Sequence, residues 1–267
     1  MANNKVEIEN NLTSIRSLIA KHKRHDHIFA GVGMFIIISL TITLLILFLD
    51  LVFDGYPRFN LDFLTNFPSR RATAAGILSA WVGSALVLIV TFFAAVPLGI
   101  AAGVYLEEYA KKNWFSDLIE INVTNLAGVP SIIYGLLALG LFVYGFGLGQ
   151  TILTAGLTLA LLMLPIVIVA TREAIRAIPI HIREAAYAVG ATKWQVSLHH
   201  VIQYSYGGIL TGVIIGMARA IGETAPVITI GALTFIAFLP PSPVGLEPPF
   251  INFEWLKAGF TVLPIQM

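Results

Sequence analysis

From Ile121 to Thr171 the chain carries no charged side chain. No soluble fold hides an uncharged stretch that long, whereas a helix needs only about 20 apolar residues to cross a bilayer core of about 30 Å. The run therefore holds two crossings, divided at Gly145-Phe-Gly-Leu-Gly149, whose glycines favour a tight turn. Three more runs complete the pattern: Ile28 to Leu49, Ile77 to Leu106 within the longer Ala72 to Leu106, and Gly207 to Ala232. Composition agrees, with 12% charged residues against about 25% in soluble domains and a mean hydropathy of +0.84. The expected fold is all-α, a polytopic transmembrane helical bundle with five secure spans.

The first run follows a polar tail (residues 1–27), exceeds a signal-peptide core and ends at Leu49-Asp50 without a small-residue cleavage site, so it reads as an uncleaved anchor over 28–49. The remaining spans fall in 72–267. Lysine and arginine mark cytoplasmic segments. Lys21 to Arg24 and the set Arg172, Arg176, Arg183 and Lys193 lie on one side if four spans separate them. That places the N-terminus in the cytoplasm, the loop Asp50 to Arg71 outside and the mixed-sign stretch Glu107 to Glu120 inside.

The segment 172–203 is longer than a link between spans requires, and it is patterned. Ile178-Pro179 precedes a helix start, and Ile182, Ala185, Ala186 and Val189 share one helical face. Gly190 stands where a left-handed cap is expected, and Thr192 is placed to cap a following helix. The pattern alone leaves two readings: a docking element for another protein, or a helix lying on lipid headgroups.

Glu184-Ala-Ala186 followed by Gly190 resembles the EAA loop of bacterial ABC importer permeases. The similarity extends through "YLEEYA" (Tyr105 to Ala110), "NLAGVPSIIYGL" (Asn125 to Leu136), "TREAIRAIP" (Thr171 to Pro179), "REAAYAVGATKWQV" (Arg183 to Val196), "GILTGVIIGMARAIGETAP" (Gly208 to Pro226) and "FTVLPIQM" (Phe260 to Met267). Together these resemble the phosphate-transport permeases of the PstA type, of the type I, MetI-like fold. The resemblance implies an inner-membrane, multi-pass subunit that pairs with a second homologous permease and receives phosphate from an extracytoplasmic phosphate-binding protein. It also implies docking to dimeric ATP-binding subunits through Glu184, Ala185, Ala186 and Gly190. Two departures stand out. The usual Leu-Pro pair after the EAA glycine is replaced by Ile202-Gln203, with Gly207 where a second proline is common. A sixth span, usual in these permeases, is expected beyond Met267, which reads as a truncated or partial sequence with its end outside.

Within the last span stand Arg219 and Glu223, an (i, i+4) pair. A span entered at Gly207 puts Arg219 about 12 residues, or about 18 Å, deep, near the bilayer middle. One reading is a self-neutralised pair that fixes packing. The other is an anion station, because a guanidinium offers phosphate several donors in a permanent charge. Glu223 would then moderate the affinity and accept a hydrogen bond from a protonated phosphate oxygen, which sulfate lacks near neutral pH. Arg172 is a second candidate on the substrate path, as an exit station or as a cytoplasmic anchor paired with nearby acids.

Other signals are weaker. His22, His25, His27 and Asp26 read as a metal cluster or, more simply, as a solvated basic tail beside anionic lipid. The chain has no cysteine, a net charge of +1 and no basic stripe for nucleic acid. It has no GxxxxGK[ST] and no catalytic motif, so neither ATP binding, a cofactor nor enzymatic catalysis is expected of it. Pro240 to Pro243 and Pro248-Pro249 mark a rigid outer loop facing a solute-binding protein. A permease for molybdate or sulfate is the alternative, and a proton-coupled secondary transporter a further one, for which inverted repeats would be required.

Overall fold

The computed structural model describes residues 2–71, 74–111, 113–244, 250 and 252–266, with side chains from residue 22 onward, Arg24 excepted. Pro248 and Pro249 lie outside the described residues. The chain divides into two compact units, Met1–Asn60 and Leu61–Met267. The described residues form helices α1 (Ala2–Gly55), α2 (Leu61–Thr65), α3 (Leu78–Val104), α4 (Trp114–Leu126), α5 (Ser131–Ala138), α6 (Ile152–Arg176), α7 (Ile180–Ala188), α8 (Lys193–Gln195), α9 (Ile202–Gly222), α10 (Ala225–Thr229) and α11 (Leu263–Gln266). The all-helical, multi-span expectation holds.

In the first unit, α1 is one unbroken helix through both the polar tail and the first apolar run. Its candidate span, His25–Arg58, buries none of its most apolar window within the unit. A helix apolar on all sides and solvated by nothing in its own unit is what lipid is suited to cover.

The core of the second unit is α3 against α6, the most extensive helix interface, followed by α6 against α9. Small residues let these helices approach closely. On α3, Gly99 rides on Val167 and Gly103 on Thr171; the paired numbers rise together, so α3 and α6 run parallel. Thr91 Oγ1 donates to the Gly156 carbonyl across the same seam at 3.2 Å. On α9, Gly208, Gly212 and Gly216 face Ala174, Ala170 and Met163, so α9 runs antiparallel to α6.

The third crossing is a broken helix. It begins at Trp114, breaks after Leu126 and resumes at Ser131, with a bend of 105° between the two pieces. Pro130 caps the second piece in extended conformation, and Tyr134 Oη donates to the Leu126 carbonyl at 2.7 Å to brace the elbow. Glu120 of α4 lies beside Arg172 and Arg176, at the end where α3 and α6 finish. After α5 a π-helical stretch, Leu139–Gly145, carries the chain to the end where α6 begins. The bent pair therefore makes one net crossing. The turn that follows is the one expected, with Gly147 and Gly149 at φ of 65° and 71°.

The fifth crossing differs from the expected span. It is helical from Lys193, through a π-helical turn at Val196–Val201, to Gly222, rather than from Gly207 to Ala232. The π turn ends directly before Ile202 and Gln203, and the α-helix runs on through Gly207. At Glu223 the backbone leaves the helix (φ −80°, ψ 120°). The short α10 then packs on α5, where Gly135 admits Pro226 and Thr229. Gly231, at φ +92°, ends the crossing against the Gln150 side chain. The following segment folds back over this far end, burying Trp255, Phe260 and Val262 with Leu86, Ile152 and Val227.

Candidate functional site: a broken helix and a charged rim

The break in α9 has a local cause. A helix continuing through Pro226 would lose the bond to the Gly222 carbonyl and clash with it, so the chain unwinds and restarts with the proline in the first turn of α10. Arg219 occupies the last turn of α9 and Glu223 its cap. Their Nε and Oε1 are 3.1 Å apart, so the pair forms although Glu223 is no longer helical.

The depth differs from the expected middle of the bilayer. Glu223 lines a small cleft with Ser84, Val87, Leu159, Ala220 and Val227. Ser84 and Leu159 lie about 9 and 10 Å from the starts of α3 and α6. The pair thus sits within the crossing but in the third nearest the far end. The depth differs because α9 starts earlier than Gly207 and stops inside the bundle. (A rise of about 1.5 Å per residue makes the misplaced start decisive.)

The two charges see different surroundings. The Glu223 side chain is 16% exposed and the Arg219 side chain 42%. Among the described residues, Arg219 hydrogen-bonds only through Nε, leaving both terminal nitrogens of its fork without a protein partner. The pair is neither sealed in packing nor fully outside it.

Arg172 is elsewhere, at the opposite end, and is almost fully buried at 6% exposure. Its Nη2 lies 2.6 Å from Glu120, and its Nε lies 3.4 Å from Glu107 without hydrogen-bond geometry. Arg176 joins the same two carboxylates at 2.9 and 3.2 Å and Glu173 at 3.4 Å. Two guanidiniums thus face three carboxylates. The geometry favours the paired anchor over the exit station for Arg172, since an incoming anion would meet net negative charge.

The segment after α6 folds as its pattern predicts. Pro179 caps α7, Gly190 takes φ +85°, and Thr192 forms a reciprocal capping box with Gln195. Ala186 is buried with Ile175, Ile178, Val196 and Val201, while Glu184, Ala185 and Gly190 face outward. Of the four docking candidates, Ala186 is packed into the bundle and presents little surface. The shared face expected of Ile182, Ala185, Ala186 and Val189 does not hold, since Val189 is 84% exposed while Ala186 is buried. Sequence reasoning missed Glu107, Glu108 and Glu120 as partners of Arg172, Arg176 and Arg183. Only their shared side of the membrane was a signal.

Residues 95–244 match the family described as binding-protein-dependent transport system inner membrane component. A probable ABC transporter permease protein, YqgI, of Bacillus subtilis (strain 168) is 33% identical over 210 residues, 78% of this chain and 67% of its own length. The phosphate transport system permease protein PstA of Mycobacterium leprae (strain TN) is 40% identical over 157 residues, 59% of this chain and 51% of its own. That of Haemophilus influenzae (strain ATCC 51907 / DSM 11121 / KW20 / Rd) is 30% identical over 244 residues, 90% of this chain and 84% of its own. The chain thus spans from about half to most of the length of the curated relatives it matches. It belongs to the binding-protein-dependent transport system inner membrane component family.

Proposed function

We propose that the chain is the membrane-spanning permease subunit of an ATP-driven phosphate importer. The relatives named as phosphate transport permeases support the substrate. The observation that carries the reading is the Arg219–Glu223 pair at a helix break within the crossing, with donors of Arg219 left over for an anion. Phosphate would take the two terminal nitrogens, while Glu223 holds Nε, limits affinity and accepts a hydrogen bond from a protonated phosphate oxygen. A second homologous permease would supply the facing half of the path, and a binding protein would deliver phosphate from outside. The outward face of Glu184, Ala185 and Gly190 would dock ATP-hydrolysing subunits, on the cytoplasmic side with the N-terminus.

The test is phosphate uptake by the assembled transporter in proteoliposomes, with sulfate or molybdate as competitor. Arg219→Gln removes a charge-assisted contact worth about 1.5–3 kcal/mol, so uptake at limiting phosphate falls about 10- to 150-fold. Glu223→Gln weakens discrimination against sulfate. If Glu223→Gln leaves both phosphate uptake and selectivity unchanged, the carboxylate has no part in recognition. Preferred uptake of molybdate by the unaltered protein would replace phosphate as the substrate.

A further inference from the structure

The coupling segment is held at both of its ends by two consecutive residues of the turn that continues α3. That turn, Tyr105–Tyr109, is π-helical. Arg183, in the first turns of α7, donates from Nε and Nη2 to one oxygen of Glu108 at 3.1 and 2.8 Å. The same guanidinium donates to the Ile175 and Ile178 carbonyls at 3.1 and 3.2 Å, at the junction between α6 and α7. At the other end, Lys193 opens α8 and places Nζ 5.0 Å from the centre of the Tyr109 ring. Glu108 is nearly buried, at 8% exposure, and Arg183 is 17% exposed, so this contact is sheltered from the screening that weakens surface pairs.

The geometry points to Glu108 and Tyr109 as positioning residues that receive the motion of the coupling segment and pass it to α3. A force on the outward face of α7 cannot move Arg183 without pulling Glu108. It cannot lift the Gly190 turn without pulling Lys193 from Tyr109. The strap thus acts on α3 directly, and through α3's long seam with α6 on the rest of the bundle. A π turn suits this junction because its widened hydrogen-bond ring is already displaced from the regular ladder. This inference rests on the reading that α7 docks ATPase subunits.

The experiment measures phosphate taken up and ATP hydrolysed in the same proteoliposomes, containing the complete transporter. Glu108→Gln and Tyr109→Leu should each lower phosphate moved per ATP while ATP hydrolysis continues near the unaltered rate. Loss of the Glu108 contact should cost about tenfold, as expected for one charge-assisted pair. Arg183→Lys, which keeps the charge, should recover part of what Arg183→Gln loses. Arg183→Gln combined with Glu108→Gln should be no worse than the more damaging single change. A proportional fall in uptake and hydrolysis, or no change in their ratio, overturns the inference. A cysteine placed at Val189, in a chain that has none, separates this from the parent reading. Cross-linking to the ATPase subunit with an unchanged ratio in Glu108→Gln defeats the strap alone. Failure to cross-link in an otherwise unaltered transporter defeats the docking reading on which it rests.

Discussion

Gly207 and Gly208 are neighbours on α9, yet adding one methyl group to each should have opposite effects. A Cβ on Gly207 meets nothing within 4 Å. Gly207→Ala therefore brings only the helical gain, about 1 kcal/mol. A Cβ on Gly208 would sit 2.6 Å from that of Ala174 on α6. Carbon atoms prefer about 3.5–4.0 Å, so the helices must part by about 1 Å. Alanine has no rotamer with which to yield, and overpacking of this kind costs about 1–3 kcal/mol. Gly212→Ala meets Ala170 still more closely. After subtracting the helical gain, Gly212→Ala should lose up to about 2 kcal/mol, a fall of up to about 8 °C in a chain of this size. The assay is thermal unfolding of the purified transporter in detergent. Ala170→Gly should rescue Gly212→Ala by emptying the opposing site. Equal melting temperatures for Gly207→Ala and Gly208→Ala would refute the close seam between α6 and α9.

Three further outcomes follow from the basic end of the bundle. Gly190→Ala forces a side chain into the left-handed region at a cost of about 1–2 kcal/mol, and hydrogen exchange at the α7–α8 turn should quicken about 5- to 30-fold. Glu184→Lys, at an outward position, should uncouple ATP hydrolysis from uptake while membrane insertion persists, and normal uptake by that variant would remove its docking role. Arg172→Ala strips the most buried cation from Glu107 and Glu120, a loss of about 3–5 kcal/mol where no other cation compensates. Arg176 shares both carboxylates, so abundance in the membrane should fall partially, and further in Arg172→Ala combined with Arg176→Ala.

Local chemistry was legible in the residues themselves. The turn at Gly145 to Gly149, the cap at Gly190 and the Thr192 start each depend on one or a few side chains, and each formed as read. The apolar runs located the crossings because lipid demands a continuous stretch of that length. The same demand concealed their interruptions. In a soluble helix a break changes the polar face, but a chain apolar on every side carries no face to lose. Pro130 and Pro226 were the available signs: a residue before proline is pushed out of the helical region, and proline inside a helix removes a bond. The charged rim was illegible for another reason, since Glu107, Glu120 and Arg172 meet only after three segments distant in sequence pack together.

The break and the charged pair depend on each other physically. The last carbonyls of a helix carry partial negative charge, so a cation in the final turn is favoured there and an anion is opposed. Arg219 stands in that favoured place, whereas Glu223 brings a carboxylate into an apolar cleft at the opposing one. Glu223 is tolerable because Arg219 reaches it across one turn. A break without Arg219 would leave carbonyls and carboxylate together in the cleft; a break without Glu223 would leave the Arg219 charge unpaired within the crossing. Among the described residues, what the pair leaves over is the two terminal nitrogens of Arg219, the donors that the proposed anion station would use.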